Sequence, residues 1–206
     1  FVSYLMMLYV ATKQKAYLFI GLIVGFFACI AAYYLFAHVR VRVQTWLHPF
    51  ADFYGKGNQI GNSLFGIGTG GWFGMGLYRG MPEKIPVVDK DFVFAAISEE
   101  MGALYALCVL FLCLGCYMQF MLIAMKMQAM FYKLIAFGLG SVYITQVFLT
   151  IGGVTKFIPS TGVTLPLVSY GGSSIVSTFI IFQVIQGLYV LKRGEEEEEE
   201  NSSEEE

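Results

Sequence analysis

Residues 101–125, MGALYALCVLFLCLGCYMQFMLIAM, run without a charged side chain. About 20 residues of helix cross the hydrocarbon core of a bilayer, so this stretch is long enough to span it. Toward the C-terminus the same test picks out Leu134–Thr155 and Gly172–Leu191, with Lys126 and Lys133 in the turn before the first of them. Toward the N-terminus it picks out Gln59–Leu77 and Ala16–Ala37. Phe1–Thr12 is apolar too, but short, and ends at Lys13 and Lys15. The expected fold is all-α: a polytopic transmembrane helix bundle of five full spans plus a remnant.

Composition points the same way. Of 206 residues 57% are hydrophobic and 14% charged, with a mean hydropathy of +0.65, too apolar for a water-soluble domain of this size. Nine of the 15 acidic residues lie in the last dozen positions, so the net charge of −2 describes the tail rather than the body. A block of like charge repels itself and has nothing apolar to bury. Residues 194–206 are therefore expected to be a disordered acidic tail, and residues 1–193 the membrane domain. Cys29, Cys108, Cys113 and Cys116 all lie in uncharged stretches, with no second CxxC pair and no nearby His, and read as reduced apolar thiols. The chain opens on an apolar run with no initiator Met and no basic leader, so it is expected to be the C-terminal part of a longer protein.

Two polar regions interrupt the spans. Val39–Gly57 carries Arg40, Arg42, His48, Pro49 and Lys56, with Trp46 and Tyr54 suited to a membrane interface. The following span, Gln59–Leu77, holds seven glycines and is expected to break near Gly70 and Gly71. With that span counted as a crossing, Arg40, Arg42, Lys56, Lys126, Lys133, Lys192 and Arg193 fall on one side, and Lys13, Lys15, Arg79, Lys84, Lys90 and Lys156 on the other. The first side is then expected to be cytoplasmic and the Asp91 loop external.

Tyr78–Glu100 is the most charged segment before the tail. Asp91, just ahead of Phe92-Val93-Phe94, fits two readings equally: a helix cap favoured by the positive N-terminal end, or a functional carboxylate. Glu99 and Glu100 cannot both face lipid, so at least one should meet a polar cavity or a basic partner. Lys156–Ser174, KFIPSTGVTLPLVSYGGSS, is dense in hydroxyls and backbone-bending residues. Irregular backbone at membrane depth is tolerated where protein buries it or where it lines a cavity. No phosphate-binding P-loop and no dinucleotide fingerprint is present, so an activated soluble nucleotide is not the expected substrate.

Gln59-Ile-Gly-Asn-Ser63-Leu64, Gly66–Leu77, Pro86–Gly102 and Pro159–Ser174, in this order and spacing, resemble the shape, elongation, division and sporulation (SEDS) family that includes FtsW, RodA and SpoVE. The similarity runs over residues 38–190, and Arg40–Asp52 resembles the family's cytoplasmic connection. Where the family often has Leu-Pro-Glu this chain has Ile85-Pro86-Val87, which argues against a two-carboxylate scheme there. Thr69 and Thr150 also depart from the family's usual Ser and Asn.

The resemblance implies about ten transmembrane helices, of which this chain would hold the end of the fifth through the tenth. Asp91 would lie in the large extracellular loop between the seventh and eighth, with the C-terminus cytoplasmic. It implies a peptidoglycan glycosyltransferase that polymerises lipid II at the outer face of the bacterial cytoplasmic membrane, in division, elongation or sporulation. Asp91 falls at the family's catalytic aspartate. Arg79, Lys84 and Lys156 are candidates for the diphosphate, and Ser169, Ser173, Ser174, Glu99 and Glu100 for further substrate contacts. A divalent cation, Mg or Mn, bridging Asp91 to phosphate is an alternative. Expected partners are membrane lipids and a class B penicillin-binding protein, and no nucleic acid. Two other readings stay open: a lipid II flippase, in which Glu99 and Glu100 matter more than Asp91, and a scaffold for the penicillin-binding protein.

Overall fold

Eight helical elements make up the computed structural model, which describes residues 1–204 and the side chains of residues 1–194. They are α1 (Val2–Thr12), α2 (Lys15–Leu35), α3 (Ala37–Leu47), α4 (Asn58–Gly70), a 3-10 turn (Pro82–Lys84), α5 (Val93–Lys126), α6 (Met130–Val154) and α7 (Gly172–Glu204). No strand occurs among the described residues. Of the tail expected to be disordered, 194–206, the backbone of 194–204 continues α7, and residues 205–206 lie outside the described residues.

Among the described residues four helices are long and apolar enough to cross a membrane: α2, α5, α6 and the Gly172–Gly194 part of α7. Their outward faces are apolar, as on α2, where Phe19, Leu22, Ile23, Phe26 and Phe27 are all exposed. Such a surface is stable only when lipid or further apolar helices cover it. Between α5, α6 and α7 the core is closed by Phe120, Tyr143 and Phe182, stacked edge to face at 5.1 to 5.8 Å between ring centroids. The short α1 packs on α6, with Met7 against Gly138, and on α2, with Leu5 against Gly21.

The expected fifth span does not form. Of Gln59–Leu77 only α4 is helical, and its 13 residues rise about 20 Å against a hydrocarbon core of about 30 Å. Near its start Ser63, fully buried, donates its hydroxyl to Ile60 O and to Val154 O at the end of α6. At Gly70 the helix ends against Ser98 and Glu99. The chain then turns through residues 71–76 and comes back beside α4, where Asn62 Nδ2 donates to Lys84 O at 2.8 Å. The segment dips into the bundle and returns to the face it left.

This re-entrant hairpin stays in place because it exchanges backbone hydrogen bonds with α5. In an unbroken helix the amides of Ala103 and Leu104 would donate to Glu99 O and Glu100 O. Instead they donate to Gly71 O (2.8 Å) and Trp72 O (3.3 Å), while Glu99 O and Glu100 O accept from the amides of Met75 and Gly76, both at 2.9 Å. Gly102, at φ 86° and ψ 170°, opens the helix at this point. These four groups freed from α5 each meet one in the turn, as non-helical backbone at this depth requires. Glu100 Oε1 accepts the Tyr78 amide and Glu99 Oε1 the Met81 amide, bracing the returning strand of chain.

The hairpin also overturns the expected sorting of the loops. Because α4 does not cross, Val39–Gly57 lies on the same face as Asp91. Trp46 Nε1 donates to Lys156 O at 2.9 Å, and Arg42 Nη1 donates to Ser160 O at 3.2 Å. The expectation that Arg40, Arg42 and Lys56 share a side with Lys126, Lys133, Lys192 and Arg193 is therefore corrected: Arg40–Asp52 and Asp91 lie on one face, so they cannot be cytoplasmic and external respectively. Lys13 and Lys15, a full span of α2 away from Arg40, fall with Lys126 and Lys133 on the opposite face.

Candidate functional site

Phe92 fixes the position of Asp91. It is 1% exposed, packed in a core with Ile60, Ile85, Phe94 and Val154, and so ties the residue before α5 to α4, to the returning chain and to the end of α6. The Asp91 carboxylate then points into a cavity of about 150 Å³ lined by Val41, Arg42, Thr45, Lys56, Gln59, Ile60, Ser160 and Gly162. Its Oδ2 lies 3.4 Å from where a Cβ on Gly162 would stand. Four segments remote in sequence converge here: α3, the start of α4, the loop before α5 and the loop after α6. A neighbouring hollow of about 410 Å³, sharing Val41, Thr45 and Lys56, adds Gln44, His48 and Asp52.

Partial burial pushes the Asp91 carboxyl above its ordinary value, opposed by the cations of Lys90 and Arg42 and reinforced by the negative charge of Asp89. A carboxylate held this way is a better proton acceptor than a solvated one.

The loop after α6 is built for rigidity. Thr150 donates to Val163 O, and Gln146 Nε2 donates to Thr164 O and to Ser174 Oγ. Thr164 Oγ1 donates to Ser174 Oγ at 2.7 Å, and Ser169 Oγ, 3% exposed, accepts the Leu165 amide. The Tyr170 amide donates to Asp89 O, joining this loop to the Asp91 segment. Ser169 Oγ and Ser174 Oγ thus serve as acceptors that hold the loop and α6 together, and Ser173 is exposed in the first turn of α7. Lys156, in the left-handed region at φ 61°, meets α3 through its carbonyl.

Arg79, Lys84 and Glu99 do not line the Asp91 cavity. They line another, of about 340 Å³, further along α4, with Asn62, Phe65, Gly66, Thr69, Met75, Met81 and Ile85. Among the described residues no group of three or more His, Cys, Asp and Glu comes together. A divalent cation at Asp91 would therefore have that carboxylate as its protein ligand and take its other ligands from phosphate and water, a donor set that suits magnesium.

The residues beside Asp91 that sequence reasoning missed are Arg42, Thr45, Lys56, Gln59 and Ser160. The signal was the glycine run after Gln59, which marks a segment unable to hold a crossing helix and therefore keeps Arg42 and Lys56 on the Asp91 side.

A family model described as Cell cycle protein, FtsW/RodA/SpoVE, matches residues 1–193. The chain belongs to the FtsW/RodA/SpoVE family. The peptidoglycan glycosyltransferase RodA of Mycobacterium tuberculosis (strain ATCC 25618 / H37Rv) is 42% identical over 185 residues, which is 90% of this chain and 39% of the relative. The RodA of Mycobacterium leprae (strain TN) is 38% identical over 185 residues, 90% of this chain and 40% of the relative. The probable peptidoglycan glycosyltransferase FtsW of Aliivibrio salmonicida (strain LFI1238) is 36% identical over 182 residues, 85% of this chain and 45% of the relative. The chain spans less than half the length of these family members. A solved chain from work on "Structural coordination of polymerization and crosslinking by a peptidoglycan synthase complex" superposes with a TM-score of 0.70 at 24% identity, covering 91% of this chain and 53% of that one. It shows that the FtsW/RodA/SpoVE chain described here has that fold, and with four spans the protein is a multi-pass membrane protein.

Proposed function

We propose that the protein is a peptidoglycan glycosyltransferase that polymerises lipid II at the outer face of the cytoplasmic membrane, with Asp91 as the general base. The observation that carries this reading is the Asp91 cavity, where a carboxyl made more basic by burial stands with Arg42 and Lys56. Asp91 takes the proton from the acceptor sugar 4-hydroxyl as its oxygen bonds to the donor's anomeric carbon. The bond from that carbon to the lipid diphosphate breaks, and Arg42 and Lys56 stabilise the charge that builds on the departing diphosphate. An α-linked donor gives a β-linked product by this single inverting displacement.

The outer-face placement of Asp91 follows from the family's arrangement, in which the catalytic aspartate lies in an extracellular loop. Lysine and arginine divide almost evenly, six (Lys13, Lys15, Lys126, Lys133, Lys192 and Arg193) on the face opposite Asp91 and seven on the Asp91 face, so their count does not set the orientation. A penicillin-binding transpeptidase is the proposed partner. A flippase that works through Glu99 and Glu100 is less well supported, because each has an oxygen committed to a backbone amide.

Polymer formed from lipid II by the intact protein and by its Asp91→Asn variant tests the reading. Loss of at least about 100-fold is expected. Retained polymerisation, or lipid translocation without any polymer from the unaltered protein, would remove Asp91 from the chemistry and favour transport.

A further inference from the structure

Polymerising a lipid-linked sugar brings two lipid diphosphates together, because donor and acceptor each carry one. Two cavities lie along α4, and each has one arginine and one lysine in its lining: Arg42 and Lys56 beside Asp91, and Arg79 and Lys84 beside Glu99 in a cavity whose wall is otherwise largely apolar, with Phe65, Met75, Met81 and Ile85. Resting on the glycosyltransferase reading above, we infer that the Arg79–Lys84 cavity binds the glycosyl diphosphate of the acceptor lipid while the Asp91 cavity holds that of the donor.

Geometry separates the roles. In an inverting displacement the base, the attacking hydroxyl and the donor's anomeric carbon are in contact, so the donor's diphosphate must sit next to Asp91. The acceptor's diphosphate hangs from the far end of its disaccharide, two sugar rings from the attacking 4-hydroxyl. From Ile60, in the first cavity, to Gly66, in the second, α4 rises about 9 Å, which is about the length of a disaccharide.

The second cavity has the chemistry for a glycosyl diphosphate rather than for a bare anion. Arg79 and Lys84 supply the positive charge that phosphate needs. Glu99 is 7% exposed; its Oε1 takes the Met81 amide, and its Oε2 lies 3.2 Å from where a Cβ on Gly66 would stand, on the cavity wall. A carboxylate in that position accepts from sugar hydroxyls or an acetamido N–H, and Asn62 and Thr69 add polar groups on the same wall. The returning chain that carries Arg79 and Lys84 is held by Glu99, Glu100 and Asn62, so both cations stand on a braced segment.

The test counts binding sites. The intact protein carrying Asp91→Asn, reconstituted in nanodiscs of zwitterionic lipid, is titrated with radiolabelled lipid II. Two equivalents per protein are expected, falling to one when Arg79→Gln and Lys84→Gln are added, and returning to two with the charge-keeping pair Arg79→Lys and Lys84→Arg. In the otherwise unaltered protein, Arg79→Gln with Lys84→Gln should raise the lipid II concentration for half-maximal polymerisation at least tenfold and leave the acid limb of the pH profile in place. One equivalent throughout, or two that survive the glutamine pair, overturns the second site while the Asp91 reading stands. Polymer formed by Asp91→Asn overturns the Asp91 reading itself.

Discussion

Asp91 is drawn in two directions, and the balance predicts its pH behaviour. Burial raises its pKa and Arg42 lowers it, so the base should titrate above an ordinary aspartate and the acid limb of the rate profile should lie correspondingly high. Replacing Arg42 by Gln removes a cation that holds the carboxyl down, so the limb should move to higher pH; a shift to lower pH would contradict the assigned interaction. The sign for stability is opposite to that of a salt-bridged carboxylate. A folded-state pKa raised above the unfolded value stabilises the protonated form, and that contribution is lost as pH rises through the folded pKa. Asp91→Asn should therefore lose activity at neutral pH with an unchanged or higher Tm, which thermal unfolding in detergent checks. The aspartate was legible from its motif. Arg42 and Lys56 were not, because their place depends on whether α4 crosses the membrane.

Helix elements were legible where charge-free length decides them. Ala16–Ala37, Met101–Met125, Leu134–Thr155 and Gly172–Leu191 all fall on observed spans, with α5 beginning earlier, at Val93, because its first turns lie in the site layer beside α4. Gln59–Leu77 failed the same test because uncharged length cannot tell a crossing helix from a short helix and a glycine turn that share backbone bonds with a neighbour. Gly102 makes that sharing possible. Its φ and ψ lie in a region almost confined to glycine, and a Cβ there would fall against Gly74 N and Trp72 O. Gly102→Ala should cost about 1–3 kcal/mol in backbone strain alone and release the hairpin. Gly115→Ala, further down the same helix with nothing within 4 Å of the added carbon, should leave the Tm unchanged or raise it. Faster proteolysis between residues 71 and 81 in the first variant but not the second is the expected result, and equal protection in both would contradict the role given to Gly102.

For the whole molecule, the central claim is that one face gathers its site from four segments, because residues 58–92 enter the bundle and return instead of crossing it. Site-directed labelling with a membrane-impermeant maleimide tests this most directly, in the intact protein with Cys29, Cys108, Cys113 and Cys116 replaced by Ala. Single cysteines are placed at Tyr54, before α4, at Lys90, beside Asp91, and at Ala129, in the turn between α5 and α6; all three positions are exposed. The re-entrant fold predicts that Tyr54→Cys and Lys90→Cys react from the outside of intact cells and that Ala129→Cys reacts only after the membrane is opened. If Tyr54→Cys is protected together with Ala129→Cys while Lys90→Cys reacts, α4 crosses the membrane, and Arg42 and Lys56 cannot share a cavity with Asp91.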